Sequence, residues 1–149
     1  MSKVWKIGIT GSREGMTPQQ QAAFIEMLAD HPKPFRWLLH GCCVGVDEQA
    51  HWLAFELGIS SIGYPPTDTR LMMEIDSQYP ELQFQDLRMP KPYLDRNRDI
   101  VQDCDELWVF PKTLDTHIAG GTGYTYRYAK TARRLIDVHI FWPNGDIDV

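Results

Sequence analysis

Residues 35–58 read FRWLLHGCCVGVDEQAHWLAFELG, and this stretch decides the fold. Its first five residues form an apolar run with the length of one strand. A loop that contains Gly41 and Gly45 follows, and apolar residues then recur at helical spacing as far as Gly58, a residue typical of a helix end. The stretch therefore predicts a strand, a loop and a helix in direct succession.

The same unit precedes this stretch in the chain. Residues 4–10 alternate as a strand does and end in a loop, 11–15, whose glycines tolerate positive φ. Thr17 is the expected N-cap of a helix and Pro18 its first residue, so a helix is predicted as far as about residue 30. Three apolar side chains of this helix are expected to face inward: Phe24, Ile25 and Leu28.

The remaining elements continue the alternation. A short strand is predicted at 59–64, a helix at 94–104, a strand at 106–110, a helix from about 121 to 134 and a half-exposed edge strand at 136–142. Strands that alternate with helices form right-handed crossovers and a parallel sheet. The expected fold class is α/β: a Rossmann-like, doubly wound and mostly parallel sheet of about five strands flanked by helices.

Residues 65–92 interrupt this pattern with five prolines and no clean period. Long irregular segments in compact domains usually form lids or binding loops. We therefore expect a single domain over residues 1–149, in which 65–92 is an irregular cover near the site with one helical turn around 71–75.

Composition limits the functional class. A chain of 149 residues that is 43% hydrophobic can build one buried core, and a net charge of −5 argues against duplex nucleic acid as a partner. The sequence shows neither signal-peptide features nor a membrane-spanning run, so a cytoplasmic protein without a membrane partner is expected. Its three cysteines and five histidines show no zinc-ligand spacing, so no metal and no cofactor are expected.

Three glycine-rich loops carry the functional signal. They lie at 11–15, 41–45 and 120–123, each after a predicted strand, and the last two also open helices. The amino end of a helix offers free N–H groups to an anion, and glycine lets a phosphate approach the main chain. Tight turns without a ligand are the alternative. Neither a Walker A motif nor a dinucleotide-binding fingerprint is present, which argues against an ordinary ATPase or dehydrogenase.

These residues resemble a known group. The motif Gly11-Ser12-Arg13, the pattern from Gly41 through Gly45 and Asp47 to His51, and Gly120-Gly121-Thr122 are similar to motifs of the SLOG superfamily. This superfamily includes DprA, the Lonely Guy phosphoribohydrolases and small YspA-like proteins, and the last are the best match in size. The resemblance implies a Rossmann-like fold and a nucleotide ligand.

Arg96 falls where Lonely Guy enzymes place an arginine at the substrate. Arg98 lies two positions further along the predicted helix and points about 200° away, so only one of the two can face a ligand. The resemblance favours Arg96. Asp47 starts a predicted helix, where its carboxylate would either hold a ribose hydroxyl or complement the helix dipole.

The chain departs from the Lonely Guy pattern in one respect. Those enzymes carry a glutamate shortly after the glycine-threonine pair, whereas residues 123–127 contain no carboxylate. Cleavage of an N-glycosidic bond usually needs one. Asp95, Asp99 and Asp115 are the candidate replacements.

The main hypothesis is therefore a protein that binds or senses a nucleotide or nucleoside phosphate, including an ADP-ribose-like signal. A nucleotide N-glycosidase is the alternative, and single-stranded DNA binding, as in DprA, is the third. A homo-oligomer is expected, with Tyr128, Ala132 and Leu135 at its interface. The predicted ligand-binding residues are Gly11, Ser12, Arg13, Gly41, Gly45, Asp47, Arg96, Gly120, Gly121 and Thr122.

Overall fold

The computed structural model describes residues 3–132, 134 and 136–149, and the predicted interface residue Leu135 lies outside this part of the chain. Within the described residues there are seven strands and four α-helices. The strands are β1 (Trp5–Gly11), β2 (Arg36–His40), β3 (Ser61–Gly63), β4 (Asp86–Leu87), β5 (Glu106–Phe110), β6 (Asp137–Phe141) and β7 (Ile147–Asp148). The helices are α1 (Pro18–Ala29), α2 (Val46–Glu56), α3 (Tyr93–Asp103) and α4 (Gly120–Thr131).

All strands belong to one sheet with the order β4-β3-β2-β1-β5-β6-β7. The pairings from β4 to β6 are parallel, and only β7 runs antiparallel, beside β6. The strand order reverses direction at β1, which is the topological switch of a doubly wound sheet. The predicted fold class is confirmed, and two strands of two residues each add to the five that were expected.

The helices cover both faces of the sheet. One core cluster packs α1 and α2 on one face, with Phe24, Val46 and Trp108 among its members, and a second packs α3 and α4 on the other, with Ile100, Val109 and Ala129. Phe24 and Leu28 of α1 are fully buried as predicted, but Ile25 is 38% exposed, so its predicted inward orientation is wrong. No helix in the described part of the chain has the length and apolar character to cross a bilayer.

Gln20 explains how the start of α1 is fixed. The Thr17 hydroxyl accepts the Gln20 backbone N–H at 3.1 Å, and the Gln20 side chain accepts the Thr17 N–H at 2.9 Å, which completes a capping box. The amide group of Gln20 also donates to the carbonyls of Pro111 and Phe141. The first turn of α1 is thereby tied to the carboxyl ends of β5 and β6.

Two local predictions were wrong. The strand β6 is not an edge strand, because β7 pairs along it. Residues 71–75 form no helical turn, and the one helical turn inside 65–92 is a 3₁₀ turn at Pro80–Leu82. The cover is also anchored more firmly than its composition suggests, since β4 joins the sheet and Phe84 and Met73 pack against Cys42 in a third cluster.

Candidate functional site

A cavity of about 620 Å³ lies at the carboxyl edge of the sheet, between the loops after β1, β2 and β5 and the helix α3. This is where open α/β sheets bind their ligands. Of the ten residues predicted to bind a ligand, nine line this cavity: Gly11, Ser12, Arg13, Gly41, Asp47, Arg96, Gly120, Gly121 and Thr122. The structure thus brings three loops that are distant in sequence around one space.

Gly45 does not line the cavity, and it has a different task. It precedes α2 with a φ of 90°, and a Cβ there would lie 2.5 Å from the backbone carbonyl of Arg13. Only glycine permits both this conformation and this approach. Gly45 therefore lets the loop after β1 and the loop after β2 pack against each other.

The loop at 41–45 is closed to an anion, because other parts of the chain already accept its N–H groups. The Cys42 N–H donates to His40 Nδ1 at 3.0 Å, the Val44 N–H to the Leu71 carbonyl at 2.9 Å, and the Val46 N–H to the Ser12 carbonyl at 3.0 Å. The N–H groups of Gly41 and Cys43 donate to Asp47, as described next. A phosphate would find few free donors here.

Asp47 forms the floor of the cavity beneath this loop. It is 8% exposed, and its Oδ2 accepts the N–H groups of Gly41 at 3.1 Å and Cys43 at 3.3 Å. Its Oδ1 has no partner among the described residues. Burial raises the pKa of this carboxyl from 3.8 to about 6, although the Arg96 charge and the two N–H donors act in the opposite direction.

Arg96 lies opposite Asp47 and is 5% exposed. Its Nη1 donates to the carbonyls of Gly41 and Tyr64, and its Nε to Asn97 Oδ1 at 2.8 Å. Its Nη2 has only a weak contact with Cys43 Sγ, at 3.8 Å. Most of the guanidinium therefore holds the loop after β2 in place, and Nη2 remains available to a ligand.

Arg98 points away from the cavity, as the 200° separation predicts. Its Nε donates to the Tyr124 hydroxyl at 2.6 Å on the exposed surface between α3 and α4. Arg13 is exposed at the mouth of the cavity, where its guanidinium carbon lies 4.4 Å from the centre of the Tyr93 ring. This cation–π contact connects the loop after β1 to the start of α3.

The amino end of α4 is the open one of the three predicted anion sites. Gly120, Gly121 and Thr122 are its first three residues, whose N–H groups have no intrahelical partner, and no side chain caps them. A Cβ at Gly121 would have Asn97 Nδ2 as its nearest neighbour, at 3.9 Å, and a Cβ at Gly120 would have no atom within 4 Å. The first turn of α4 contains no acidic residue.

The candidate catalytic carboxylates are dispersed. Asp99 pairs with Lys91 at 2.7 Å and Asp95 lies 3.8 Å from Arg98, and neither residue lines the cavity. Asp115 does line it, but it is exposed and accepts the His117 backbone N–H at 2.9 Å. Asp47 is the buried carboxylate among the described lining residues.

The sequence did not predict every lining residue, and Tyr93, Asn97 and Lys112 are polar examples that it missed. Helical spacing could have found the first two, because Tyr93 and Asn97 fall on the same face of α3 as Arg96. Lys112 forms an exposed ion pair with Glu14 at 3.1 Å. No spacing rule connects these two residues, since they follow different strands.

The two thiols near the site, Cys42 and Cys43, are buried. Burial raises the pKa of Cys42 and of Cys43, and the neighbouring Asp47 charge adds to the effect. His40 and His51 form a buried pair, with Nε2 of His40 3.0 Å from Nδ1 of His51. The two rings are hydrogen-bonded to each other, and His40 also accepts the Cys42 N–H.

A second cavity of about 790 Å³ lies at the opposite rim, near the amino ends of β1, β5 and β6. Its lining includes four carboxylates, from Glu26, Asp30, Glu106 and Asp137. Negative charge of this density disfavours an anion. The two cavities therefore differ in the number of carboxylates that line them.

The fold and the cavity at the carboxyl edge of its strands define an α/β protein of the Rossmann-like class. Within this class it shares the fold of DNA processing protein A (DprA) from Helicobacter pylori, in a structure concerned with that protein's single-stranded DNA binding mode. The TM-score is 0.62 at 20% identity, and the match covers 90% of this chain and 64% of that chain. The fold expected from the SLOG resemblance is thereby confirmed.

Two further solved structures are similar. TM1055, a structural-genomics target, matches with a TM-score of 0.59 at 13% identity over 85% of this chain and 68% of that chain. DprA from Streptococcus pneumoniae matches with a TM-score of 0.53 at 14% identity over 91% of this chain and 58% of that chain. No protein-family model and no curated protein matches the sequence. The chain spans less than two thirds of either DprA chain, and the likeness is one of fold.

Proposed function

We propose that this protein binds or senses a nucleoside phosphate, with ADP-ribose-like molecules among the candidates, and that the phosphate lies at the amino end of α4. The observation that carries the proposal is the set of three N–H groups of Gly120, Gly121 and Thr122. These residues line the cavity and lack a capping side chain, and a Cβ at Gly120 or Gly121 would meet no atom closer than 3.9 Å. A helix amino end of this kind favours a phosphate group.

Positive side chains support the same position. Lys112 lines the cavity from the loop after β5, and Arg13 lines it from the loop after β1. Neither is held by a buried carboxylate, because the partner of Lys112 is the 72% exposed Glu14. A phosphate can therefore recruit both charges without breaking a buried ion pair.

The size of the cavity supports a ligand larger than inorganic phosphate. A volume of about 620 Å³ lies within the range of about 300 to 1,000 Å³ that is usual for small-molecule sites. Tyr93, Leu94 and Ile118 add apolar surface to its wall. Such a wall suits a base or a ribose next to the phosphate.

Binding should be measured by calorimetric titration with AMP and ADP-ribose, together with mass spectrometry of small molecules released from the purified protein. The decisive variant is Gly121→Asp, which places a carboxylate in front of the α4 N–H groups. Because an acidic residue in the first turn favours a helix, the fold should keep its melting temperature while nucleotide affinity falls at least tenfold.

Gln19→Asp is the matched control. It adds the same charge at the second position of α1, whose first turn also lacks an acidic residue, but it lies outside the cavity. Its nucleotide affinity should equal that of the wild type. Unchanged affinity in Gly121→Asp would refute the proposed phosphate position.

Single-stranded DNA is the competing ligand, since DprA from H. pylori binds it and shares the fold. The net charge of −5 weakens this candidate, because such binding draws on a positive groove. Filter binding of an oligonucleotide at low and moderate salt separates the two ligands. Tight, salt-dependent retention of the oligonucleotide without nucleotide affinity would favour the DNA ligand.

A further inference from the structure

The floor of the cavity differs in chemistry from the amino end of α4. At the floor Asp47 presents an acceptor, because its Oδ1 accepts no hydrogen bond from the described residues, whereas the amino end of α4 presents donors. Oδ2 of the same carboxylate is fixed by the Gly41 and Cys43 N–H groups, so the side chain cannot rotate away without breaking both hydrogen bonds. A ligand that reaches the floor must therefore present a donor to Oδ1.

The carboxylate also excludes one part of the ligand. A phosphate beside Asp47 would meet a buried carboxylate, and four of the five N–H groups of the loop at 41–45, those of residues 41–44, already have acceptors. Oδ1 of Asp47 therefore favours a neutral donor over an anion, even with the Arg96 guanidinium nearby. For a nucleoside phosphate whose phosphate lies at α4, the hydroxyl groups of the sugar are the donors next to the phosphate.

We propose that Asp47 selects the ligand by its sugar hydroxyls, favouring ribose over deoxyribose phosphates, and that protonation of Asp47 weakens this selection. The inference rests on the proposed nucleoside-phosphate function. It adds the class of sugar that the site accepts and a control of that choice by pH.

The groups that surround Asp47 determine the pH at which its carboxyl group is protonated. Charged or titratable groups face it from three elements: Arg96 from α3, Arg13 from the loop after β1, and Cys42 and Cys43 from its own loop. Burial raises the pKa of Asp47 to about 6, so the carboxylate is mostly ionised at pH 7.5 and mostly protonated at pH 5. Only the ionised form accepts two hydroxyl donors with full strength.

The test compares AMP with 2′,3′-dideoxy-AMP by calorimetric titration between pH 5 and pH 8. The two nucleotides have the same phosphate, so the ratio of their affinities cancels the titration of that group. One hydrogen bond to a charged acceptor contributes about 1.5–3 kcal/mol, so a ratio of at least about 10 to 100 is expected at pH 7.5. The ratio should fall toward 1 as the pH falls through 6.

Asp47→Asn is the matching variant. Its amide oxygen can still accept the Gly41 and Cys43 N–H groups, so the amide nitrogen replaces Oδ1 at the cavity. The preference for AMP should disappear at every pH while affinity for the dideoxy nucleotide persists. Glu48→Gln, which removes a carboxylate from the same helical turn without lining the cavity, should behave as the wild type.

The outcomes distinguish the role of Asp47 in sugar selection from the proposed binding of nucleotides. A wild-type ratio near 1 at all pH values, with measurable affinity for both nucleotides, overturns the role of Asp47 and leaves nucleotide binding intact. A large ratio that is independent of pH, or that persists in Asp47→Asn, also overturns it. If neither nucleotide binds, the proposed function itself fails. Should Asp47→Asn not fold, the pH dependence of the wild-type ratio decides alone.

Discussion

The guanidinium of Arg96 occupies the space in which a side chain at Gly41 would have to lie. The same guanidinium donates to the Gly41 carbonyl, while Asp47 accepts the Gly41 N–H. One residue of the loop after β2 is thus held from both sides by side chains that line the cavity. The backbone position of Gly41 therefore depends on Arg96 and Asp47, and Arg96 can occupy its position only because Gly41 has no Cβ.

Gly41→Ala should therefore disturb the site and the fold together. The added methyl group would collide with Arg96, and overpacking of this kind costs about 1–3 kcal/mol in the free energy of unfolding. Urea denaturation measures this loss. Gly121→Ala is the control for stability, because its methyl group would approach no atom closer than 3.9 Å and its melting temperature should not fall. Equal stability of Gly41→Ala and wild type would contradict the contact.

Arg13→Ala and Arg96→Ala should separate binding from stability. Arg13 is exposed, so its loss should weaken nucleotide binding by about 1.5–3 kcal/mol with little change in melting temperature. Arg96→Ala should also destabilise the fold, since each buried carbonyl left without a donor costs about 1–3 kcal/mol. Calorimetric titration and thermal denaturation of both variants provide the measurements. A melting temperature of Arg96→Ala equal to that of the wild type would show that its buried hydrogen bonds contribute no stability.

Crystals grown with sulfate or a nucleotide should show the anion at the first turn of α4, within hydrogen-bond distance of the Gly121 and Thr122 N–H groups. The sequence alone left the loop at 41–45 as an equal choice, but the N–H groups of residues 41–44 have acceptors in the protein. An anion bound to that loop, or in the acidic cavity at the opposite rim, would contradict the assignment.

The free energy of unfolding should decrease as the pH is lowered, because the His40–His51 pair is buried in its neutral form. The Cys42 N–H donates to His40 Nδ1, so His40 Nε2 carries the proton that is donated to His51 Nδ1, and both rings are neutral. Burial lowers the pKa of His51 from 6.5 to about 4 and that of His40 in the same direction. The unfolded chain therefore binds these protons first, and the free energy of unfolding should decrease as the pH falls from 6.5 to 4.

His51→Gln tests this expectation, since its amide oxygen can accept from His40 without titrating. The variant should show a smaller loss of stability between pH 6.5 and pH 4 than the wild type in urea denaturation. Asp47 has the opposite effect on the free energy of unfolding. Its pKa is raised from 3.8 to about 6 in the folded state, so the folded state binds this proton more strongly than the unfolded chain, and stability rises as the pH falls through this range. The same slope in both proteins would exclude His51 as the source.

Turnover of nucleoside monophosphates should be slow or absent. Residues 123–127 lack the carboxylate of the Lonely Guy pattern, Asp95 and Asp99 lie outside the cavity, and Asp115 is exposed at its wall. General acid–base catalysis typically raises a reaction rate by about 10²- to 10⁴-fold, so without it a nucleotide is expected to bind but to be hydrolysed slowly. Chromatography for free base measures this. Rapid release of base, lost in Asp115→Asn, would identify an enzyme instead.

The sequence predicted the alternation of strands and helices because each long element has a clear apolar period. It could not predict β4 and β7, since two residues carry no period. The sequence correctly predicted that the three glycine loops lie along one edge of the sheet. It could not show which of these loops has N–H groups without an acceptor in the protein. That difference depends on acceptors far away in the chain, such as the Leu71 carbonyl for the Val44 N–H. Local patterns contain no information about such partners.

The two shortest strands have a consequence for assembly. A sheet edge with unpaired N–H and C=O groups invites another chain to add a strand, and proteins limit this by making edge strands very short. Here both outer positions belong to two-residue strands, Asp86–Leu87 and Ile147–Asp148, and each carries an aspartate. Continuous sheets that run from one molecule into the next are therefore disfavoured, and if copies of this chain associate, contacts through helices and loops are expected.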